Sequence, residues 1–304
     1  MTRIEATDAT FTAWMRDNLA HAANHFGVTV TGDPVLGWAL RSISAPAHGP
    51  DGRVWLRVLT ERTHWLDDPD LAAFWTGNVD ANTITGVPKP TVLHWTEWNV
   101  PEEQRRVRAE LMTFVDGSPC SPTDVLSEPL ELPEHWWQQL RHTVNTIATI
   151  ATQRFARSTP PAGSRIRQIF GDTVADRLSW TPATAHGDLH WNNLLQPELV
   201  VLDWELWGQA QHGTDAATLY LYALPAPDTA RQVHALFADL LDSPAGHVAQ
   251  LGVAARILHR AEHGEYPDLA APVRALADRV IATLPRTGPG EQTRQVRREK
   301  RPGQ

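Results

Sequence analysis

Lysine is nearly absent. Of the 27 basic residues in the 304-residue chain only Lys89 and Lys300 are lysines, so almost every fixed positive charge is a guanidinium. Cysteine is scarcer still: a single one, Cys120, excludes an internal disulfide and any zinc or iron–sulfur site built from several thiolates. Nowhere does the chain approach the roughly eighteen uninterrupted apolar residues that a membrane-spanning helix requires. The opening residues Arg3, Glu5 and Asp8 carry charge where a signal peptide needs an apolar stretch, so a cytoplasmic protein without membrane partners is expected.

Positive charge is also lacking over most of the length. The net charge is −8, yet residues 287–304 hold Arg294, Arg297, Arg298, Lys300 and Arg301 against Glu291 and Glu299, so the rest is more acidic than the whole. An acidic body argues against nucleic acid and for small neutral or cationic partners. Gly288, Pro289, Gly290 and Pro302, with almost no apolar residues, mark 287–304 as an expected basic, disordered tail.

What is present is a strand-rich first third followed by a helix-rich remainder. Phe11, Trp14, Met15, Leu19, Ala22 and Phe26 keep helical spacing, and Gly27 supplies the stop. Short extended runs follow at 28–31, 36–43 and 54–59, the last two joined by the turn Gly49-Pro50-Asp51-Gly52. In the third run Trp55 and Arg57 share one face, while Val54, Leu56 and Val58 share the other. A helix is expected from Pro69 within 67–82, although Gly77-Asn78 is poor helix chemistry. Strands at 91–98 and 107–115 complete the set, and Asp116-Gly117-Ser118-Pro119 closes it. Helices are expected over 132–157 and 164–178, then short strands around Leu194 and Leu202, then helices from Asp215 to Leu284.

This order indicates an α+β protein of two lobes: an antiparallel sheet with one inserted helix over 1–116, and a larger, mainly helical lobe over 117–286. Thirteen tryptophans are available, and those of the first lobe (Trp38, Trp55, Trp65, Trp75, Trp95, Trp98) are expected in the core, one or two of them serving as an aromatic wall.

The chemistry concentrates in His186-Gly187-Asp188-Leu189-His190-Trp191-Asn192-Asn193, followed by Leu202-Asp203-Trp204-Glu205. If the apolar runs around Leu194 and Leu202 pair through a turn at Gln196-Pro197-Glu198, Asn193 and Asp203 meet at one end of the hairpin. An amide and a carboxylate there suit Mg²⁺, which takes few protein ligands and completes its shell with water and phosphate oxygens. Asp188, one loop away, can orient a hydroxyl and accept its proton. Phosphoryl transfer needs this set: alignment of nucleophile and phosphate, with cations to neutralise developing charge. A rival reading takes His186, Asp188, His190 and Asp203 as metallohydrolase ligands.

The segment His-Gly-Asp-Leu-His-x-x-Asn with a downstream Leu-Asp-Trp-Glu resembles the aminoglycoside phosphotransferase-like family, related to choline and fructosamine kinases and built on a protein-kinase-like fold. Gly213-Thr214-Asp215, Val87-Pro88-Lys89-Pro90 and Glu110 to Gly117 are similar to further segments of that family, in the same order. The resemblance implies Asp188 as the catalytic residue, Asn193 and Asp203 as metal ligands, and His186, His190 and Asp215 as supporting residues. It places the adenine against Met112, Thr113 and Phe114, and the nucleotide phosphates against Ser42, Ser44 and a basic side chain on the third strand. That side chain, normally lysine, is Arg57, whose planar fork differs from a compact ammonium. Its usual glutamate partner on the inserted helix is missing, with Asp70 and Asp80 as candidates.

ATP and Mg²⁺ are the implied cofactors, GTP staying open. The implied acceptor is a small molecule, with an aminoglycoside-type or other amine-bearing compound favoured by the acidic body, and the protein a monomer or homodimer. A relative that binds nucleotide or antibiotic without transfer is the remaining alternative.

Overall fold

The computed structural model describes residues 3–156 and 161–285. Helix α1 (Arg3–Phe26) opens the chain and ends at Gly27, whose φ of 65° suits a residue without Cβ. Strands β1 (Thr29–Val30), β2 (Val35–Leu36), β3 (Ser42–Gly49) and β4 (Gly52–Arg62) follow. Helix α2 (Pro69–Asp80) then precedes β5 (Val92–Val100) and β6 (Arg105–Thr113). The sheet runs β1-β3-β4-β6-β5, with β2 also on β3, and every pairing is antiparallel.

Alternation along these strands sorts the sheet into two faces. Ile43, Ala45, Ala47, Val54, Leu56, Val58, Val107, Ala109 and Leu111 pack against Met15, Leu19, Ala22 and Ala23 of α1. The opposite face carries Ser44, Arg57 and Glu110 in one cross-strand row, since Ser44 pairs with Arg57 and Arg57 with Glu110. One face makes a core and the other makes a site.

The run expected as a strand over 36–43 is broken. Trp38–Leu40 form a tight turn with Ala39 and Leu40 at φ of 51° and 59°, and the Gly37 N–H donates to the Ser42 carbonyl, folding β2 back onto β3. Trp38 is left 70% exposed, and Trp65 and Trp95 are exposed as well, so the expectation of a core role holds for Trp75 but not for these three.

After β7 (Ser118–Pro119) the chain becomes helical: α3 (Glu134–Ala148), α4 (Pro161–Phe170) and α5 (Asp172–Ala175). The helix expected to reach 157 stops at 148. The segment beyond it is claimed by tertiary partners: the Ile150 carbonyl accepts from Thr184 Oγ1, the Arg154 carbonyl from the Gln209 N–H, and Arg154 Nε donates to the Trp207 carbonyl. The helix expected over 164–178 divides at Gly171, where φ is 85°. Strands β8 (Pro182–Ala185), β9 (Leu195–Gln196) and β10 (Gly208–Gln211) lead to α6 (Thr214–Tyr222), α7 (Pro227–Leu236), α8 (Ala238–Leu241), α9 (Pro244–Ala261) and α10 (Pro267–Thr283). These surround a second core rich in aromatic side chains, including Trp136, Trp137, Trp191, Trp204, Tyr222 and Phe237. No helix among the described residues is long and apolar enough to cross a membrane. The tail expected over 287–304 lies outside the described residues.

Candidate active site

Strand β8 delivers His186 and Gly187 to a loop held from below by Asp215, in the first turn of α6. The buried Asp215 carboxylate accepts the N–H of His186 at 2.7 Å and of Gly187 at 3.0 Å. Gly187 has φ of 85°, and a Cβ there would lie 2.6 Å from the Leu206 carbonyl oxygen, so only glycine permits the turn. The His186 ring is fully buried. Its Nε2 faces the Leu202 carbonyl at 2.9 Å and its Nδ1 faces the Asp188 N–H at 3.4 Å, which assigns the proton to Nε2. Burial lowers its pKa, keeping the ring neutral despite the nearby acids. Both ring nitrogens are thus engaged within the loop, and among the described residues no group of histidines, cysteines and acids could hold a metal by itself. The metallohydrolase arrangement is not formed.

The expected hairpin is formed. Leu194 bridges Val201 in antiparallel fashion, the Leu195 N–H donates to the Val200 carbonyl at 3.0 Å, and the Leu202 N–H donates to that of Asn193 at 2.9 Å. Asn193 spends its amide N–H on the Asp188 carbonyl at 3.0 Å. Asp203, at φ of 60°, keeps 43% of its side chain exposed. Trp204 packs beneath the loop, its ring against His186 and its Nε1 donating to the Val201 carbonyl.

Asp188 Oδ2 lies 3.4 Å from His190 Nε2, and Oδ1 lies 3.7 Å from Arg256 Nη1. Burial alone would raise its pKa; His190 and the Arg256 guanidinium overcome that and hold it well below the usual carboxylate range. His190 moves the other way, with Asp188 and Asp124 outweighing burial and raising its pKa.

Arg57 reaches across from β4. It donates to Glu205, and its Nη2 lies 3.5 Å from Asp203 and its Nη1 3.8 Å from Glu110. Burial opposes its charge, but the three carboxylates prevail and hold the guanidinium protonated. Its Nη1 is buried with no hydrogen-bond partner. The acid expected on α2 is therefore neither Asp70 nor Asp80. Asp80 instead receives Arg154 and the Thr76 hydroxyl. The reason is the approach of α2 to the loop after Asp203: a Cβ on Gly77 would lie 2.5 Å from the Glu205 backbone, leaving no room there for a long side chain.

A cleft of about 910 Å³ runs between these elements. It brings together Ser42, Arg57, Asp188, His190, Asn193 and Asp203, while Ser44, Met112, Thr113 and Phe114 are not on its wall. The Thr113 N–H is already taken by the Thr91 carbonyl, so backbone beyond the sheet begins at Phe114. Trp207 is buried, its Nε1 donating to the Gly77 carbonyl at 3.0 Å. Glu265, just before α10, also lines the cleft. Sequence reasoning missed Arg256, although a lone charge inside the apolar run Leu251 to Leu258 was a signal.

The two lobes, sheet order and cleft define the protein-kinase-like fold of the aminoglycoside phosphotransferases. No family model and no curated sequence matches the chain. Among solved structures it is similar to a thermostable aminoglycoside phosphotransferase APH(4)-Ia in ternary complex with AMP-PNP and hygromycin B, at 15% identity and a TM-score of 0.58, covering 87% of this chain and 97% of that one. A microcompartment-associated aminopropanol kinase matches at 15% identity and 0.57, over 88% and 98%. The GDP complex of aminoglycoside 2′-phosphotransferase-IIIa matches at 13% identity and 0.52, over 88% and 98%. At such identities the likeness is one of fold.

Proposed function

We propose that the chain is a small-molecule kinase that moves the γ-phosphate of ATP to an alcohol oxygen, with Mg²⁺. The observation that carries the reading is the convergence of Asp188, Asn193, Asp203 and Arg57 on one cleft between the lobes. The donors suit the implied groups. Asn193 and Asp203 offer hard oxygens, the Asn193 N–H being used elsewhere and the Asp203 carboxylate part-exposed, and would hold Mg²⁺. The orphaned Nη1 of Arg57 is a buried donor that a phosphate oxygen would satisfy. Mg²⁺, when bound, supplies positive charge against the phosphate oxygens.

Asp188 aligns the acceptor hydroxyl. As the oxygen–phosphorus bond forms and the bond to the departing nucleoside diphosphate breaks, the hydroxyl proton passes to the Asp188 carboxylate. A carboxylate held below its ordinary range is a weak base, so alignment is its larger contribution; a loose transition state, in which the hydroxyl proton leaves late, tolerates this. His190 and Arg256 fix the carboxylate from two sides.

GTP remains an alternative donor, supported by the GDP bound to one structural neighbour. The deciding experiment melts the protein with Mg²⁺–ATP and Mg²⁺–GTP and then screens hydroxylated acceptors by mass spectrometry for an added phosphate. A melting shift together with a phosphorylated product supports the reading. A shift with no product from any acceptor favours a nucleotide-binding relative without transfer, and no shift at all removes the reading.

A further inference from the structure

Next to Asp188 the cleft wall also carries arginines. Arg165 on α4 and Arg256 on α9 both line it, the two helices being packed together. Arg256 donates through Nη1 to the Gly187 carbonyl at 3.0 Å and through Nη2 to Thr218 Oγ1 at 3.3 Å, yet its Nε is buried without a hydrogen-bond partner. The charge acting on Arg165 is another arginine: burial and Arg256 both lower its pKa, and no carboxylate among the described residues meets it. Two guanidiniums thus face one space with one of them unneutralised.

The acids at this end are already engaged. Glu265 accepts from Arg260 Nε at 3.0 Å. Asp124 accepts from the Tyr266 hydroxyl and lies 3.4 Å from His190 Nε2. Asp188 is held between His190 and Arg256. The other lining acids stand with the first lobe: Glu61 on Arg41, Asp70 at the start of α2, and Asp203 and Glu205 around Arg57. An ammonium group entering past Asp188 would meet no unpaired carboxylate there. A carboxylate or phosphate would meet Arg165 and the guanidinium of Arg256, both on the cleft wall, in the forked geometry that guanidinium offers to such anions.

We infer that the acceptor carries, besides the hydroxyl to be phosphorylated, an anionic group that Arg165 and Arg256 receive. This rests on the phosphotransferase reading and narrows it to hydroxycarboxylic acids or phosphorylated polyols. It departs from the amine-bearing acceptor expected from the overall charge, because a net charge of −8 describes the whole chain and not the far wall of this cleft.

The test compares four acceptor series with Mg²⁺–ATP: glycerate and serine for the carboxylates, glycerol phosphate for the phosphates, glycerol as neutral control, and ethanolamine with hygromycin B as the cationic arm. Transfer to a carboxylate or a phosphate member is expected, and which series responds identifies the anion. In Arg165→Ala the acceptor KM should rise about tenfold or more, the loss of one charged contact, with the KM for ATP unmoved. Arg165→Lys should restore part of it. Because Arg165 is half-exposed, the substitution spares the core. Transfer confined to neutral or cationic acceptors overturns the inference, as does an unchanged acceptor KM in Arg165→Ala. Should Mg²⁺–ATP fail to shift the melting temperature, the phosphotransferase reading falls and the inference with it; a normal shift without any anionic product sinks the inference alone.

Discussion

The guanidinium of Arg57 is paired with the carboxylate of Glu205, so the sheet of the first lobe is tied directly to the loop that carries Asp203. Helix α2 takes part through an amide rather than an acid: Asn78 Nδ2 donates to Glu110 at 3.0 Å, and its Oδ1 accepts the Trp204 N–H at 2.9 Å. Arg57 thus faces three acids, of which Glu110 is also held by Arg108 Nε at 3.0 Å. Burial, set against the attraction of Arg57, pushes the Glu205 carboxyl up to about 8.

Glu205→Ala should therefore do more than trim a surface pair. Both side chains are almost buried, at 13% and 11% exposure, and the guanidinium would lose its nearest partner. Removing one member of such a pair typically costs about 3 kcal/mol, to be read from urea unfolding midpoints. Arg57→Ala should raise the KM for ATP about tenfold, the loss of a buried phosphate donor. An unaltered KM in that variant would remove Arg57 from nucleotide binding.

Gly77 and Asn78 should resist substitution for separate reasons. A Cβ on Gly77 would meet the backbone of Trp204 and Glu205 at 2.6 and 2.5 Å, atoms that cannot turn aside. Gly77→Ala should lever α2 off the loop, lowering stability by about 1–3 kcal/mol and weakening Mg²⁺-dependent nucleotide binding together. Asn78→Ala leaves the Trp204 N–H unpaired and removes one donor from Glu110, and should cost about 1–3 kcal/mol by the same unfolding measurement. A fully stable Gly77→Ala protein with normal nucleotide binding would contradict the packing described.

The same two residues show what the sequence could and could not convey. Gly77-Asn78 reads as a flaw in a helix because local propensity knows nothing of the loop at residues 204–205 that the helix must touch. That Asp188, Asn193 and Asp203 belong together was legible in their spacing, and the structure sets all three on one cleft; a two-residue alternation likewise separated Arg57 from the core face of its strand. The partner of Arg57 was not legible, because it lies 148 positions away and is set by packing between lobes. The early end of α3 escaped for a similar reason: no glycine or proline marks it, and the chain leaves the helix to meet β8, β10 and Trp207. Arg165 acquires meaning only when α4 and α9 are brought together.

Asp188→Asn should abolish most turnover while leaving nucleotide affinity in place. Loss of alignment and of the proton acceptor together is worth on the order of a thousandfold in kcat, with the Mg²⁺–ATP melting shift retained. The depressed pKa fixes the pH behaviour. The folded value lies below the unfolded value of 3.8, so the stability that Asp188 contributes is present above that pH and lost as pH falls through the folded value. In the activity profile, kcat/KM should show no acid limb from Asp188 in the ordinary carboxylate range of about 4 to 5. A wild-type inflection in that range, retained in variants of the other cleft acids, would show that Asp188 is not held as described.

Cys120 offers an independent probe of the hairpin. It follows β7, which pairs with β9, and its N–H donates to the Leu194 carbonyl at 2.8 Å. Its side chain is buried, and burial pushes the thiol up to about 12. Because the folded value lies above the unfolded value of 9.0, the folded state keeps a proton that the unfolded chain has lost between those two values, so stability falls as pH rises through that window. At about pH 8 the native thiolate fraction is then on the order of one in ten thousand, and iodoacetamide should label the native protein only through opening of the hairpin region. Labelling should be complete in denaturant and very slow without it. Added Mg²⁺–ATP should slow it further, since ligand bound at Asn193 and Asp203 stabilises the closed hairpin by mass action. Rapid stoichiometric labelling of the native protein, unaffected by nucleotide, would separate the Cys120 environment from the site that Asn193 and Asp203 are proposed to form.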